Sequence, residues 1–166
     1  MTQKGSESKF KDLLSEGTRA LHTGKTARAI DLLEQAHRLD EEDGAAALNL
    51  AGAYILTKRF AKAVEILEGL KEREPDNPMV WINLGAAYLG NPVLARETDQ
   101  RRAIAAFEEA WRLDPKTPSV AYNLGLVHVD RKDHAQAIHW FQQALELDPD
   151  DRDARNYLKK LTQNIN

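Results

Sequence analysis

Between Pro118 and Asp151, apolar and small residues recur twice at helical spacing. Ala121, Leu124, Gly125 and His128 fall at i, i+3, i+4 and i+7, and Ala137, Ile138, Phe141, Ala144 and Leu145 form a second stripe. Each stripe predicts an amphipathic helix with one buried face. Asp133, three residues before Gln136, reads as a variant capping box opening the second helix, and Pro149 closes it because its ring cannot continue the hydrogen-bond ladder. Gly125 lies inside the first helix, where glycine costs about 1 kcal/mol relative to alanine. That cost predicts the close approach of a partner helix. A hairpin this short buries only one face of each helix, so it requires neighbours of the same kind.

Those neighbours are present. One unit earlier the pattern returns as Trp81, Leu84, Gly85, Tyr88, Ala103, Phe107, Ala110 and Pro115, in a copy running over 78–117. The copy over 44–77 offers Ala47, Leu50, Ala51, Tyr54, Ala63, Leu67, Leu70 and Pro75. The copy over 10–43 offers Leu13, Glu16, Gly17, Ala20, Ala29, Leu33 and Ala36, with Glu41 in place of the proline. Helices are predicted at 10–22, 26–39, 44–57, 60–73, 78–89, 99–113, 118–131, 134–147 and 152–162. Residues 1–9, polar and carrying Gly5 and two serines, read as a disordered lead-in. Between Tyr88 and Ala103 the period is broken by six additional residues within LGNPVLARETD. Gly90, Asn91 and Pro92 are expected to end one helix and Asp99 to start the next, leaving a surface loop or a flap carried by Val93 and Leu94. In the last segment, 152–166, Leu158 takes the core leucine slot and Lys159 the glycine slot, which predicts a capping helix with a charged outer face.

The spacing W-x2-L-G-x2-Y, followed by A-x3-F and P, resembles the tetratricopeptide repeat (TPR) family over residues 10–151. The resemblance implies an all-α fold: a right-handed superhelical solenoid of four helical hairpins and a C-terminal cap, forming one elongated domain. It also implies a non-catalytic scaffold or adaptor, whose first helices line a concave groove that holds a peptide or helix segment of another protein. The groove residues so implied are Leu48, Asn49, Met79, Ile82, Asn83, Ala86, Tyr122, Asn123 and Leu126. A homo-oligomer whose groove packs against another copy is the alternative. One subfamily clamps acidic chaperone tails with lysines, an arginine and asparagines. Of those slots only Asn49 is kept, so that role is not expected.

Composition narrows the function further. A net charge of −3 without a basic cluster argues against nucleic acid. The absence of cysteine removes disulfide and thiolate chemistry. No apolar run suits a bilayer, and the segment MTQKGSESK lacks the apolar core of a signal peptide, so a cytoplasmic protein is expected. No enzyme activity, cofactor or metal is expected either. His134 and His139, five apart, do not share a helix face, and the acidic runs 40–43 and 148–153 lack calcium-loop spacing. His128 occupies the slot of Tyr54 and Tyr88 and reads as a packed, hydrogen-bonded core histidine. Trp140, whose slot holds Leu32, Ile66 and Ala106 elsewhere, is expected to be partly exposed.

Asn49, Asn83 and Asn123 share one slot beside the core leucine. An amide there either grips a ligand backbone, offering both donor and acceptor, or bonds a neighbouring helix.

Overall fold

The computed structural model describes the backbone of residues 3–90 and 95–163. Among them are nine helices and no strand: α1 Gln3–His22, α2 Thr26–Leu39, α3 Gly44–Leu56, α4 Phe60–Arg73, α5 Pro78–Leu89, α6 Glu97–Leu113, α7 Pro118–Asp130, α8 His134–Leu147 and α9 Arg152–Gln163. They divide into two compact units, Met1–Pro75 and Asp76–Asn166, where one elongated domain was expected. The division falls in the turn between the second and third hairpins. In a repeat chain, contacts concentrate within a hairpin and its immediate neighbour, so a boundary between repeats is where such a division can lie.

In unit 1 the core is aliphatic apart from Tyr54. Leu33, Leu50, Leu67 and Leu70 are essentially inaccessible, interleaved with Ala29, Ala36, Ala47, Ala51 and Ala63. The hairpin turns use the same closure. The amides of Gly24 and Lys25 reach back to the carbonyls of Leu21 and Ala20, and those of Lys58 and Arg59 to Ile55 and Tyr54. Both turns place one residue at positive φ, Gly24 at 72° and Lys58 at 59°. This is a Schellman-type ending that satisfies the last carbonyls of the first helix. Asp43 then caps α3 by accepting from the Ala46 amide at 2.8 Å. Where α3 buries Ala46 and Ala53, α1 exposes Asp12 and Arg19 in the equivalent slots.

The disordered lead-in is corrected for residues 3–9, which are helical; residues 1 and 2 lie outside the described set. No proline interrupts QKGSESKF. Glu7 accepts from Lys11 one turn later at 2.8 Å, and Phe10 shares a surface depression with Ser6, Glu7 and Leu39. The i,i+4 pair helps to hold a turn that composition alone reads as loose.

Unit 2 is built on aromatic rings. Phe107 and Phe141 are buried opposite Gly85 and Gly125, and Trp140 is 9 % exposed. The expectation of a partly exposed Trp140 is therefore corrected: its ring meets Trp111 edge-on with centroids 5.5 Å apart. The α7–α8 turn repeats the closure of unit 1, with Lys132 at φ 60° and the Asp133 amide bonded to the His128 carbonyl. Asp133 accepts from the Gln136 amide at 3.3 Å, which supplies one half of the predicted capping box.

The insertion departs from its predicted outline. Helix α6 starts at Glu97 rather than Asp99 and has 17 residues, against 14 in α4 and α8. Part of the added length is thus an extra turn of helix. Gly90 ends α5 at φ 57°, ψ −122°, a conformation open to glycine but strained for other residues. Asn91, Pro92, Val93 and Leu94 lie outside the described residues, and with them the suggested flap.

Helix α9 closes unit 2 by burying Ala154 and Leu161, the slots that α7 fills with Val120 and Val127. Leu158 is only half-buried and Lys159 is exposed. The core leucine slot is covered by a second helix in the complete hairpins, and the described chain supplies none after α9. Tyr157 stacks on the Phe141 ring at 5.1 Å and 8°, covering that edge instead.

Candidate protein-interaction surface

The non-core faces of the first helices carry the residues named from sequence. In unit 1, Leu48 and Asn49 on α3 are both half-buried. Asn49 Nδ2 donates to Thr18 Oγ1 on α1 at 2.9 Å, so this amide already joins two neighbouring helices. Next to it the face is flat: a Cβ at Gly52 would meet nothing within 4 Å, and Leu56 is 67 % exposed.

In unit 2, Ile82 on α5 and Tyr122 and Leu126 on α7 are half-buried and lean on the core formed by Phe107, Leu124 and Phe141. Met79 projects from the first turn of α5, 47 % exposed, and Ala86 lies half-buried two turns on. The Tyr122 ring is fixed edge-on between Phe141 at 5.8 Å and Tyr157 at 6.4 Å. Burial, with lesser contributions from the carboxylates of Asp153 and Asp151 and the Tyr157 hydroxyl, raises its hydroxyl above the ordinary tyrosine range. That hydroxyl stays neutral and able to donate.

The other two asparagines diverge in their partners. Asn83 Nδ2 donates to the Met79 carbonyl at 2.8 Å, within its own helix. Asn123 is half-buried and has no hydrogen-bond partner among the described residues. One sequence slot therefore gives an inter-helix tie, an intra-helix tie and a free amide.

The remaining candidates are structural. The acidic runs make turns: Asp40 and Asp148 each accept from the amide two residues on, at 3.1 Å, as Asp114 does between α6 and α7. Asp151 caps α9 through the Asp153 and Ala154 amides at 2.9 and 3.0 Å. No cluster of three or more metal-ligating side chains occurs among the described residues. His128 is buried as expected, but it lacks the expected hydrogen bond at Nδ1, which stands 3.6 Å from Asp133 Oδ2. A depression of about 500 Å3 lies on the second-helix side of unit 1, lined by His37, Glu65, Ile66, Gly69 and Arg73, and none of the predicted groove residues borders it.

Sequence reasoning missed how the extra turn of α6 is held. Glu97 and Gln100 face Arg131 at the end of α7 at 3.9 and 3.5 Å, and Arg102 stacks on the Tyr88 ring at 4.0 Å. The signal available was the acidic start of α6, Glu97 and Asp99, facing its own arginines.

No helix among the described residues is long and apolar enough to cross a membrane. Two family models described as tetratricopeptide repeat match residues 20–88 and 92–152. None of the curated proteins matches the sequence. Among solved structures, a thermophilic TPR protein of Thermus thermophilus superposes with a TM-score of 0.79 at 22% identity, covering 94% of this chain and 82% of that one. MamA AMB-1 follows at 0.76 and 24%, covering 96% and 84%. A MamA fragment from Desulfovibrio magneticus RS-1 gives 0.75 and 23%, covering 86% and 77%. These likenesses extend the match from the repeat motif to the arrangement of the helices, an all-α helical-repeat solenoid. With both family models naming the same repeat over most of its length, the chain belongs to the tetratricopeptide repeat family of protein-interaction scaffolds.

Proposed function

We propose that the α5–α7 face of unit 2 holds an extended or helical segment of a partner protein in a cytoplasmic setting, and that Asn123 reads its backbone. The observation that carries this reading is the free amide of Asn123 between the half-buried Tyr122 and Leu126. A polar group held at an apolar face without an internal partner offers a donor and an acceptor to whatever covers it. Ile82, Leu126 and Met79 would choose the ligand side chains that fit. Asn83 contributes less, because its amide nitrogen is engaged with Met79, and Asn49 serves to hold α1 against α3.

The test uses a displayed peptide library selected on the full chain. Asn123→Ala should weaken the selected peptides by about 1–3 kcal/mol, for ligand groups left unpaired, with an unchanged melting temperature. Asn83→Ala should do less. Peptides indifferent to Asn123→Ala and Leu126→Ala would overturn the assignment. A stable dimer in light scattering that excludes those peptides would support the homo-oligomeric alternative instead.

A further inference from the structure

One slot of the repeat holds a titratable group near neutrality only in the fourth hairpin. Tyr54 and Tyr88 occupy it in the second and third, and His128 in the fourth. Within unit 1, Tyr54 Oη donates to Glu34 of α2 at 2.6 Å, and burial together with this bond pushes the hydroxyl up to about 12. That latch is indifferent to pH over the neutral range. In unit 2 the slot of Glu34 is taken by Glu108 on α6, and a histidine stands where the tyrosine would donate.

The imidazole is 9 % exposed, and Nδ1 has no hydrogen-bond partner. Asp133 Oδ2 lies 3.6 Å away, beyond hydrogen-bond reach. Asp133 uses its other oxygen to accept from the Gln136 amide at the start of α8. The charged groups acting on the ring are Glu108 from α6, Arg131 from the turn and Asp133 from the start of α8. Arg131 is itself turned toward Glu97 and Gln100 of α6.

We propose that His128 is a proton-sensitive latch on the fourth hairpin, loosening the α7–α8 junction on mild acidification while the tyrosine-latched second hairpin stays closed. A proton on this ring places a charge in a buried slot, and Asp133 can bond it only by turning its Oδ2 in from 3.6 Å while its Oδ1 holds the Gln136 amide. Attraction of Asp133 toward the imidazolium competes with the Gln136 amide, so the start of α8 loosens with it.

The direction follows from the environment. Burial lowers the affinity of His128 for a proton below the ordinary value of 6.5; Asp133 opposes this, Arg131 adds to it and Glu108 opposes it weakly. The unfolded chain then binds the proton more readily than the folded one. Stability from this group is complete above 6.5 and is lost as pH falls through 6.5 toward the lower folded value.

All three tryptophans, Trp81, Trp111 and Trp140, lie in unit 2, so their fluorescence reports that unit. Melting the full chain at about pH 7.5 and about pH 5.5, on either side of the ordinary histidine range, should show a larger fall in wild type than in His128→Tyr. The other histidines, and the carboxylates remote from residue 128, are common to both proteins, so their contributions cancel. Parallel falls would overturn the proposal. Should His128→Tyr fail to fold, nuclear magnetic resonance of the His128 ring in wild type decides: a midpoint below 6.5 is expected, and a midpoint at or above 6.5 rejects the latch.

Discussion

In unit 1 the small residue of the first helix meets leucine; in unit 2 it meets phenylalanine. A Cβ built at Gly17 would stand 2.8 Å from Leu33, whereas one at Gly85 would stand 2.5 Å from the Phe107 ring and one at Gly125 2.8 Å from Phe141. The second hairpin fills the same two slots with Ala51 and Leu67, both wholly buried. The spacing between helices is thus met by a sum of volumes. A glycine accommodates a ring and an alanine accommodates a leucine, as expected for interiors packed to near-crystalline density. Gly17 opposite Leu33 has the smallest summed volume of these pairings, yet its would-be Cβ stands as close to its partner as that of Gly125. This hairpin, whose outer slots are the charged Asp12 and Arg19, therefore departs from the rule by a closer approach of its helices.

The comparison breaks most visibly at Gly85. Gly85→Leu should destabilise unit 2 by about 1–3 kcal/mol through overpacking against Phe107, read as an earlier tryptophan-detected transition in urea. Gly52, also within a first helix, has nothing within 4 Å of its would-be Cβ. Gly52→Ala should therefore stabilise by about 1 kcal/mol through helix propensity alone, measured by the far-ultraviolet dichroism melt. Opposite signs for two helical glycines separate packing from propensity. A cost at Gly52 would show that its face is already covered.

Much of this was legible in the sequence, because it rests on period. The hairpins and the close glycine slots follow from apolar spacing, and their boundaries fall within one residue except at the starts of α1 and α6. Those two fail for one physical reason: the starts of both helices are polar in sequence and are tied by ion pairs, Glu7 with Lys11 and Glu97 with Arg101, so no apolar stripe announces them. The candidate site was legible as a register but not as chemistry. Asn49, Asn83 and Asn123 share a slot, yet Thr18 exists only in α1 to receive the first of them. Trp140 escaped because its slot is filled by Leu32, Ile66 and Ala106 elsewhere, and its burial depends on a ring at Trp111 outside its own helix.

A smaller effect sharpens the comparison at the turns. Lys58 and Lys132 hold the positive φ that Gly24 supplies in the first hairpin. Lysine is strained there by its Cβ against the following carbonyl. Lys58→Gly in unit 1 and Lys132→Gly in unit 2 should each stabilise by about 0.5–1 kcal/mol, seen as a rise in the denaturant midpoint. A loss at either site would mean that the lysine side chain makes a compensating contact.

The most direct test of the volume rule is a double-mutant cycle that rebuilds the second hairpin's solution inside the third: Gly85→Ala, Phe107→Leu and the pair together, followed by tryptophan fluorescence in urea. Each single change should destabilise unit 2, Gly85→Ala by pressing on the ring and Phe107→Leu by leaving a void. The pair should recover at least about 0.5–1 kcal/mol relative to the sum of the singles. Strict additivity would contradict the account, because it would show that the two slots do not share one volume.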